Sequence, residues 1–173
     1  MPAYHDPVEP LLSSRQLRRV GVPFRWLGRA TWFMLGFMAV AMTGAAFRDD
    51  VEWQFSVPLV LVLVAAFGLL VALGLFATRE GRRWRRAATA QRPDRVLDAV
   101  VVEKGRNSTG SILHVKADDG SYLLRTRHGW DLDSEPDDRI HLQLYGAGPK
   151  VAGAYRNERG GRPAAVTVTA LPV

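Results

Sequence analysis

The chain of 173 residues contains no cysteine, which excludes disulfides, thiolate nucleophiles and cysteine metal sites and fits a reducing cytoplasm. It has almost no lysine: arginine outnumbers it twenty to three. A phosphate-binding loop is missing, because Gly105 to Gly110 lacks the Gly-Lys-Ser/Thr ending that such a loop needs. Ser108, Ser111 and Ser121 have no G-x-S-x-G context, so no nucleophile elbow is present. Charge itself is absent over 24 residues, from Phe55 to Thr78, and returns at once in Arg79, Arg82, Arg83, Arg85 and Arg86.

About 20 apolar residues cross a hydrocarbon core of about 30 Å as an α-helix, so the uncharged run predicts a membrane span with a basic stop. A second apolar run, Ala30 to Phe47, has only Thr31 and Thr43 as polar side chains. It reaches span length if Trp26 and Leu27 extend it while Arg29 stretches back to the headgroups. The intervening Arg48 to Gln54 is too short for a domain, and the two spans, about 26–47 and 55–78, are expected to form an antiparallel hairpin. Ala39-Val40-Ala41 and Gly44-Ala45-Ala46 have signal-peptidase spacing, but the positive segment before them is too long for a cleaved signal.

Positive residues stay on the cytoplasmic side. Five arginines precede the first span (Arg15, Arg18, Arg19, Arg25, Arg29) and seven follow the second (Arg79, Arg82, Arg83, Arg85, Arg86, Arg92, Arg95), while the connecting loop has Arg48 alone. Both termini are therefore expected in the cytoplasm. Trp26, Trp32, Trp53 and Trp84 stand near span ends, where amphipathic rings favour the interface.

The formal net charge of +6 invites a nucleic-acid reading, which depends on where the charge lies. From Pro93 onward there are eleven basic and eleven acidic residues. The excess belongs to the membrane-proximal segments, where basic residues meet anionic lipid at about 1 kcal/mol each. Arg79, Arg82, Arg83, Arg85 and Arg86 are thus candidate contacts for anionic lipid, and nucleic acid is not an expected partner.

Beyond Pro93 short stretches rich in Val, Ile, Thr and Tyr alternate with glycine-bearing turns, a strand signature. Strands are expected at Val96–Glu103, Ile112–Ala117, Tyr122–Arg127, Arg139–Tyr145, Val151–Arg156 and Ala164–Ala170. Val100-Val101-Val102 reads as buried on both faces, Gly105 to Ser111 as a flexible loop, and His128 to Asp138 as a long acidic loop. Asp118-Asp119-Gly120-Ser121 is the strongest hairpin signal. In Arg139–Tyr145, Ile140, Leu142 and Leu144 are expected inward and Arg139, His141 and Gln143 outward. Val166 and Val168 are expected inward in the last strand. The fold class is an α+β membrane protein: a two-helix hairpin followed by a small, mostly antiparallel β-barrel or sandwich of about six strands, of OB-like or SH3-like size. The chain divides into an N-terminal segment (1–25), the hairpin (26–78), an arginine-rich connection (79–94) and a cytoplasmic β-domain (95–173).

This layout resembles several families of poorly characterised bacterial integral membrane proteins. More loosely it resembles membrane-anchored proteins with a C-terminal OB-type barrel, such as the NfeD-like group. Asp137-Asp138-Arg139-Ile140-His141-Leu142 is like the turn and strand that close many such barrels. The arginine bias resembles high-GC bacteria such as actinobacteria. The resemblance implies a bacterial plasma membrane location and carries over no catalytic residue.

Candidate chemistry is sparse. His114 and His141 fall on polar strand faces, and would approach each other if those strands adjoin, yet two imidazoles without a third ligand make a poor metal site. Asp131, Asp133, Glu135 and Asp137 alternate like the start of a calcium loop, but Pro136 occupies the place of its turning glycine and Leu142 that of its bidentate glutamate. No catalytic, metal or cofactor residue is assigned. Ala41 with Ala45, and Gly68 with Ala72, have the four-residue spacing of small residues that lets helices approach, within the hairpin or in an oligomer. The expected function is that of a non-enzymatic anchor whose β-domain, through exposed strand edges, binds another membrane protein as an accessory or assembly component. The alternative is a ligand or anionic-lipid sensor, with the acidic loop and Trp130 at the barrel mouth.

Overall fold

A computed structural model describes residues 9–46, 57–90, 92–107, 110–126 and 132–172. The loop after Phe47, Trp53 and Trp130 lie outside them. The chain forms two compact units, Gly21–Arg82 and, together, Met1–Val20 with Arg83–Val173. Its two helices are α1, Ser14–Ala46, and α2, Val57–Thr89, of 33 residues each. At 1.5 Å per residue each is about 50 Å long, more than a hydrocarbon core requires. Among the described residues one helical segment, Val60–Thr89, is long and apolar enough to cross a membrane.

Helix α1 starts twelve residues before Trp26, for a reason the sequence carries. Ser13 and Gln16 form a capping box: the Gln16 N–H donates to Ser13 Oγ at 3.3 Å, and the Ser13 N–H donates to Gln16 Oε1 at 2.8 Å. These bonds satisfy two N–H groups that a helix start leaves orphaned. Leu12 before the cap and Leu17 four residues after it are both buried, the arrangement of a hydrophobic staple.

In the unit 21–82 the helices meet along a seam of small residues. A Cβ on Gly28 would stand 3.4 Å from Thr78 Oγ1, and one on Gly74 would stand 3.3 Å from both Thr31 Cγ2 and Trp32 Cε2. Phe24 and Phe76 pack edge to face at 6.2 Å. The polar groups here are satisfied locally, as an apolar setting requires: the Thr31 hydroxyl donates to Leu27 C=O (2.8 Å), Thr78 to Gly74 C=O (2.7 Å) and Trp32 Nε1 to Thr78 Oγ1 (3.2 Å).

The other unit is built on a closed six-stranded antiparallel barrel: β1 (Arg95–Asn107), β2 (Gly110–Ala117), β3 (Gly120–Arg125), β4 (Arg139–Tyr145), β5 (Lys150–Asn157) and β6 (Ala164–Ala170). The strand order around the barrel is β1-β2-β3-β6-β5-β4, closed by β1 against β4. Strand β4 returns beside β1 after the β1-β2-β3 meander, a Greek-key connection. Closure removes the exposed strand edges that the sequence suggested, because strand pairing takes up both sides of each sheet member.

Strand β1 is long enough to serve two neighbours. Arg95 to Val100 pair with β4, while Ala99 to Asn107 pair with β2 across a register shift between Val101 and Glu103. Such a bulge places an extra residue on one strand and bends it. It also corrects the expectation of two-sided burial: Val101 is fully buried, whereas Val100 and Val102 are 39% and 50% exposed. The Gly105–Ser111 segment is mostly strand as well, since Gly105 pairs with Ile112 and Arg106 with Ser111.

The barrel interior is filled by Ala99, Val101, Leu113, Val115, Leu124, Ile140, Leu142, Leu144, Tyr155, Val166 and Val168, with Leu132 from the acidic loop as a plug. Full burial of each large aliphatic contributes about 1.5–3 kcal/mol. Gly153 faces inward where the walls are closest. A Cβ there would lie 2.8 Å from Val168 Cγ2 and 3.1 Å from Gln143 C=O. The β2–β3 hairpin turns through Asp118 and Asp119, with Gly120 at φ 150° pairing back to Ala117.

The outer face of β4 and β5 is covered. By alternation Gln143, Tyr145, Ala152 and Ala154 point outward, yet all are buried. Residues 9–11 lie on Gln143, whose side-chain amide acts as a strand partner: Oε1 accepts the Leu11 N–H and Nε2 donates to Glu9 C=O, both at 2.8 Å. The expectation of an exposed Gln143 is thereby corrected.

Candidate functional site

The end of the barrel that carries the acidic loop is closed by a polar node. Asn157, at the end of β5, donates from Nδ2 to Asp133 C=O (2.8 Å), Ser134 Oγ (3.1 Å) and Asp138 Oδ2 (3.0 Å), and accepts the Arg159 N–H at 2.9 Å. Ser134 bonds the Tyr155 hydroxyl at 2.5 Å. The Glu135 N–H donates to Asp138 at 2.9 Å and Arg159 lies 2.9 Å from its other oxygen. The Glu135 N–H bond, assisted by Asn157 and the charges of Arg159 and Lys104, holds the Asp138 carboxyl below the usual range despite its burial. Every polar partner here belongs to the barrel or its loops, so the node fastens 132–138 down. Glu135 is engaged by Lys104 Nζ at 2.8 Å, and the described half of the acidic loop seals this end of the barrel.

The two histidines do not meet. His114 sits on β2 opposite Glu103, and His141 on β4 opposite Asp98. Both strands flank β1, and their partners are five residues apart along it, about 16 Å. His141 Nδ1 is 2.7 Å from Asp98 Oδ1 in an exposed pair. Among the described residues no group of three His, Asp or Glu side chains could hold a metal.

At the opposite end, where β1 begins, the barrel has a mouth. A cavity of about 390 Å³ is lined by Leu144, Val151, Val168 and Pro149 within and by Asp94, Arg95 and Tyr122 at the rim. Gly146 and Gly148, at φ 108° and 119°, let the β4–β5 loop turn back over it in a conformation that side chains disfavour. Asp94 accepts the Gly146 N–H, and Asp119 takes both Arg95 and the Tyr122 hydroxyl. Burial, reinforced by Asp119, pushes the Tyr122 phenol up. The expected mouth at the acidic loop with Trp130 lies partly outside the described residues; this cavity is built by Asp94, Arg95 and the Gly146–Pro149 turn, signalled in the sequence only by a glycine-proline cluster.

Of the candidate lipid contacts, Arg79, Arg82, Arg85 and Arg86 are exposed on α2 and Arg83 is half-buried. The expected helical continuation through Gly81 is present, to Thr89. Trp26 and Trp32 are 68% and 45% exposed, whereas Trp84, expected at the interface, is buried. Glu80 is also buried, which its place in a run of arginines does not signal. Among the small residues, Ala41 and Ala72 are exposed and Gly68 has nothing within 4 Å, while the side chain of Ala45 lies outside those described. Within the unit the close approaches of the two helices run through Gly28, Gly74 and Gly81.

Comparison with protein families, with curated proteins and with solved structures finds no match to this chain.

Proposed function

We propose that the chain is a non-enzymatic protein of the bacterial plasma membrane, anchored by a two-span hairpin with both termini in the cytoplasm, whose barrel and helices bind another membrane protein. The role is that of an accessory or assembly component, without nucleic acid. The observation that carries the reading is apolar exposure around both helices. Phe33, Phe37 and Val40 on α1 are 79%, 66% and 72% exposed, and Leu61, Val62, Val64 and Leu69 on α2 are 63%, 64%, 64% and 72% exposed. A helix apolar all round belongs in a large core or a membrane. Gly36, Gly44 and Gly68 have open space beside them, which suits close approach of a further helix. With strand edges closed, a partner of the barrel would meet side chains and loops. Purification at native expression in mild detergent tests this: a defined complex or homo-oligomer is expected, and a lone monomer would count against it.

The second reading, an anionic-lipid sensor, is favoured by Arg79, Arg82, Arg83, Arg85 and Arg86 on the last turns of α2. Replacing Arg82, Arg83, Arg85 and Arg86 by Gln should abolish selective binding to phosphatidylglycerol vesicles, and unchanged binding removes this reading.

A further inference from the structure

We propose that the barrel mouth at the start of β1 binds a zwitterionic headgroup, one that carries an ammonium and a phosphate close together. The mouth has the size and location expected of a ligand site: a cavity of about 390 Å³, inside the range of small-molecule pockets and at a barrel mouth, where such pockets favour an apolar floor with a few polar groups. Leu144, Val151 and Val168 supply the floor.

The rim supplies one cation and one anion with capacity to spare. Arg95 spends one terminal nitrogen on Asp119 and its side chain remains 53% exposed. A guanidinium has five N–H donors in a fork that fits phosphate oxygens, so the others are available. Asp94 holds the Gly146 N–H with one oxygen, and its second oxygen suits an ammonium. Asp119 is already engaged by Arg95 and Tyr122. An anion alone would sit beside both Asp94 and Asp119 at a cost, and a cation alone beside Arg95. A molecule with both charges satisfies both sides, and its apolar portion has the floor to occupy.

A lipid surface is one source of such a headgroup. Ala90, just past the end of α2, stands five positions before Arg95 on the rim, a reach of at most about 18 Å, and twelve positions, about 18 Å of helix, separate it from Thr78, where the uncharged run ends. This choice of source rests on reading α2 as a membrane span, which cysteine labelling tests separately, whereas the charge pairing at the rim does not depend on it.

The test uses the full chain, nitrogen-labelled at glycine, in nanodiscs of phosphatidylglycerol or of phosphatidylethanolamine. The Gly146 and Gly148 amide resonances should differ between the two lipids. Titrating O-phosphoethanolamine into the phosphatidylglycerol discs should reproduce the shift if the free zwitterion suffices, and leave it absent if the acyl-bearing lipid is required; either supports the site and distinguishes the sources. Asp94→Asn, which keeps an acceptor for the Gly146 N–H and therefore the loop, should weaken the response at least tenfold, as should Arg95→Gln. Ala147→Trp, which keeps both charges and fills the mouth, should do the same. Resonances that respond to neither probe, a shift reproduced by inorganic phosphate alone, or a response that survives Asp94→Asn and Arg95→Gln would overturn the proposal.

Discussion

Asn157 is the residue whose loss the barrel should feel most. It is 5% exposed, and its carboxamide joins Asp133, Ser134 and Asp138 on one side to the Arg159 N–H on the other. Truncation to Ala removes about three neutral hydrogen bonds at about 1 kcal/mol each and one to a charged group at about 1.5–3 kcal/mol. Bifurcation of two N–H donors over three acceptors reduces that sum, so a loss of about 3–5 kcal/mol is expected. A barrel of this size has a total stability of about 4–12 kcal/mol on general per-residue grounds. At 1.36 kcal/mol per decade the core amides of β4 and β5 should exchange about a hundredfold to several thousandfold faster in the full chain, and amides of 132–138 faster still. Hydrogen exchange of detergent-solubilised protein reads this directly. A loss of protection of less than about fivefold across the barrel, about 1 kcal/mol, would refute the claim that this amide closes the barrel end.

The same packing and hydrogen bonds set four further outcomes. Gly153→Ala drives a methyl to within 2.8 Å of Val168 and 3.1 Å of a backbone oxygen, so it should cost about 1–3 kcal/mol as overpacking, measured as a lower denaturation midpoint; a stabilised variant would contradict the inward placement. Gln143→Ala removes both bonds that hold residues 9–11 and should raise proteolysis near Glu9 several-fold with the barrel core still protected. Because the folded Asp138 carboxyl is held low, its contribution is present above the unfolded value near 4 and fades as pH falls through its lower folded value. Because burial raises the Tyr145 and Tyr155 phenols, their contribution is present below about pH 10 and fades as pH rises through the folded values. Acid and alkaline unfolding followed by circular dichroism, with Asp138→Asn and Tyr145→Phe for comparison, checks both signs.

The strands β4 and β6 were legible to the residue because each alternates on one buried face and is bounded by glycine or proline. The extra length of β1 was not, since the bulge at Val102 lets the chain change partners without any local signal. Gln143 misled for a different reason: polarity predicts exposure only where nothing covers the outer face, and what covers it comes from more than 130 positions upstream. The start of α1 is written in Ser13 and Gln16, but the stronger apolar signal that follows masks it. Close approach within the hairpin falls at Gly28 and Gly74, which the contacts across the seam reveal and residue spacing alone does not. Of the barrel mouth only the Gly-Ala-Gly-Pro turn was visible; the meeting of Asp94, Arg95 and Tyr122 depends on closure of the whole barrel.

The proposed function has two helices holding the barrel at the cytoplasmic face of a membrane. The absence of native cysteine makes a clean test possible, with single cysteines introduced as Asp50→Cys and Gly120→Cys and exposed to a membrane-impermeant thiol reagent in intact cells. Labelling is expected at position 50 and protection at position 120 until the cells are opened; labelling at position 120 in intact cells would overturn the proposed orientation.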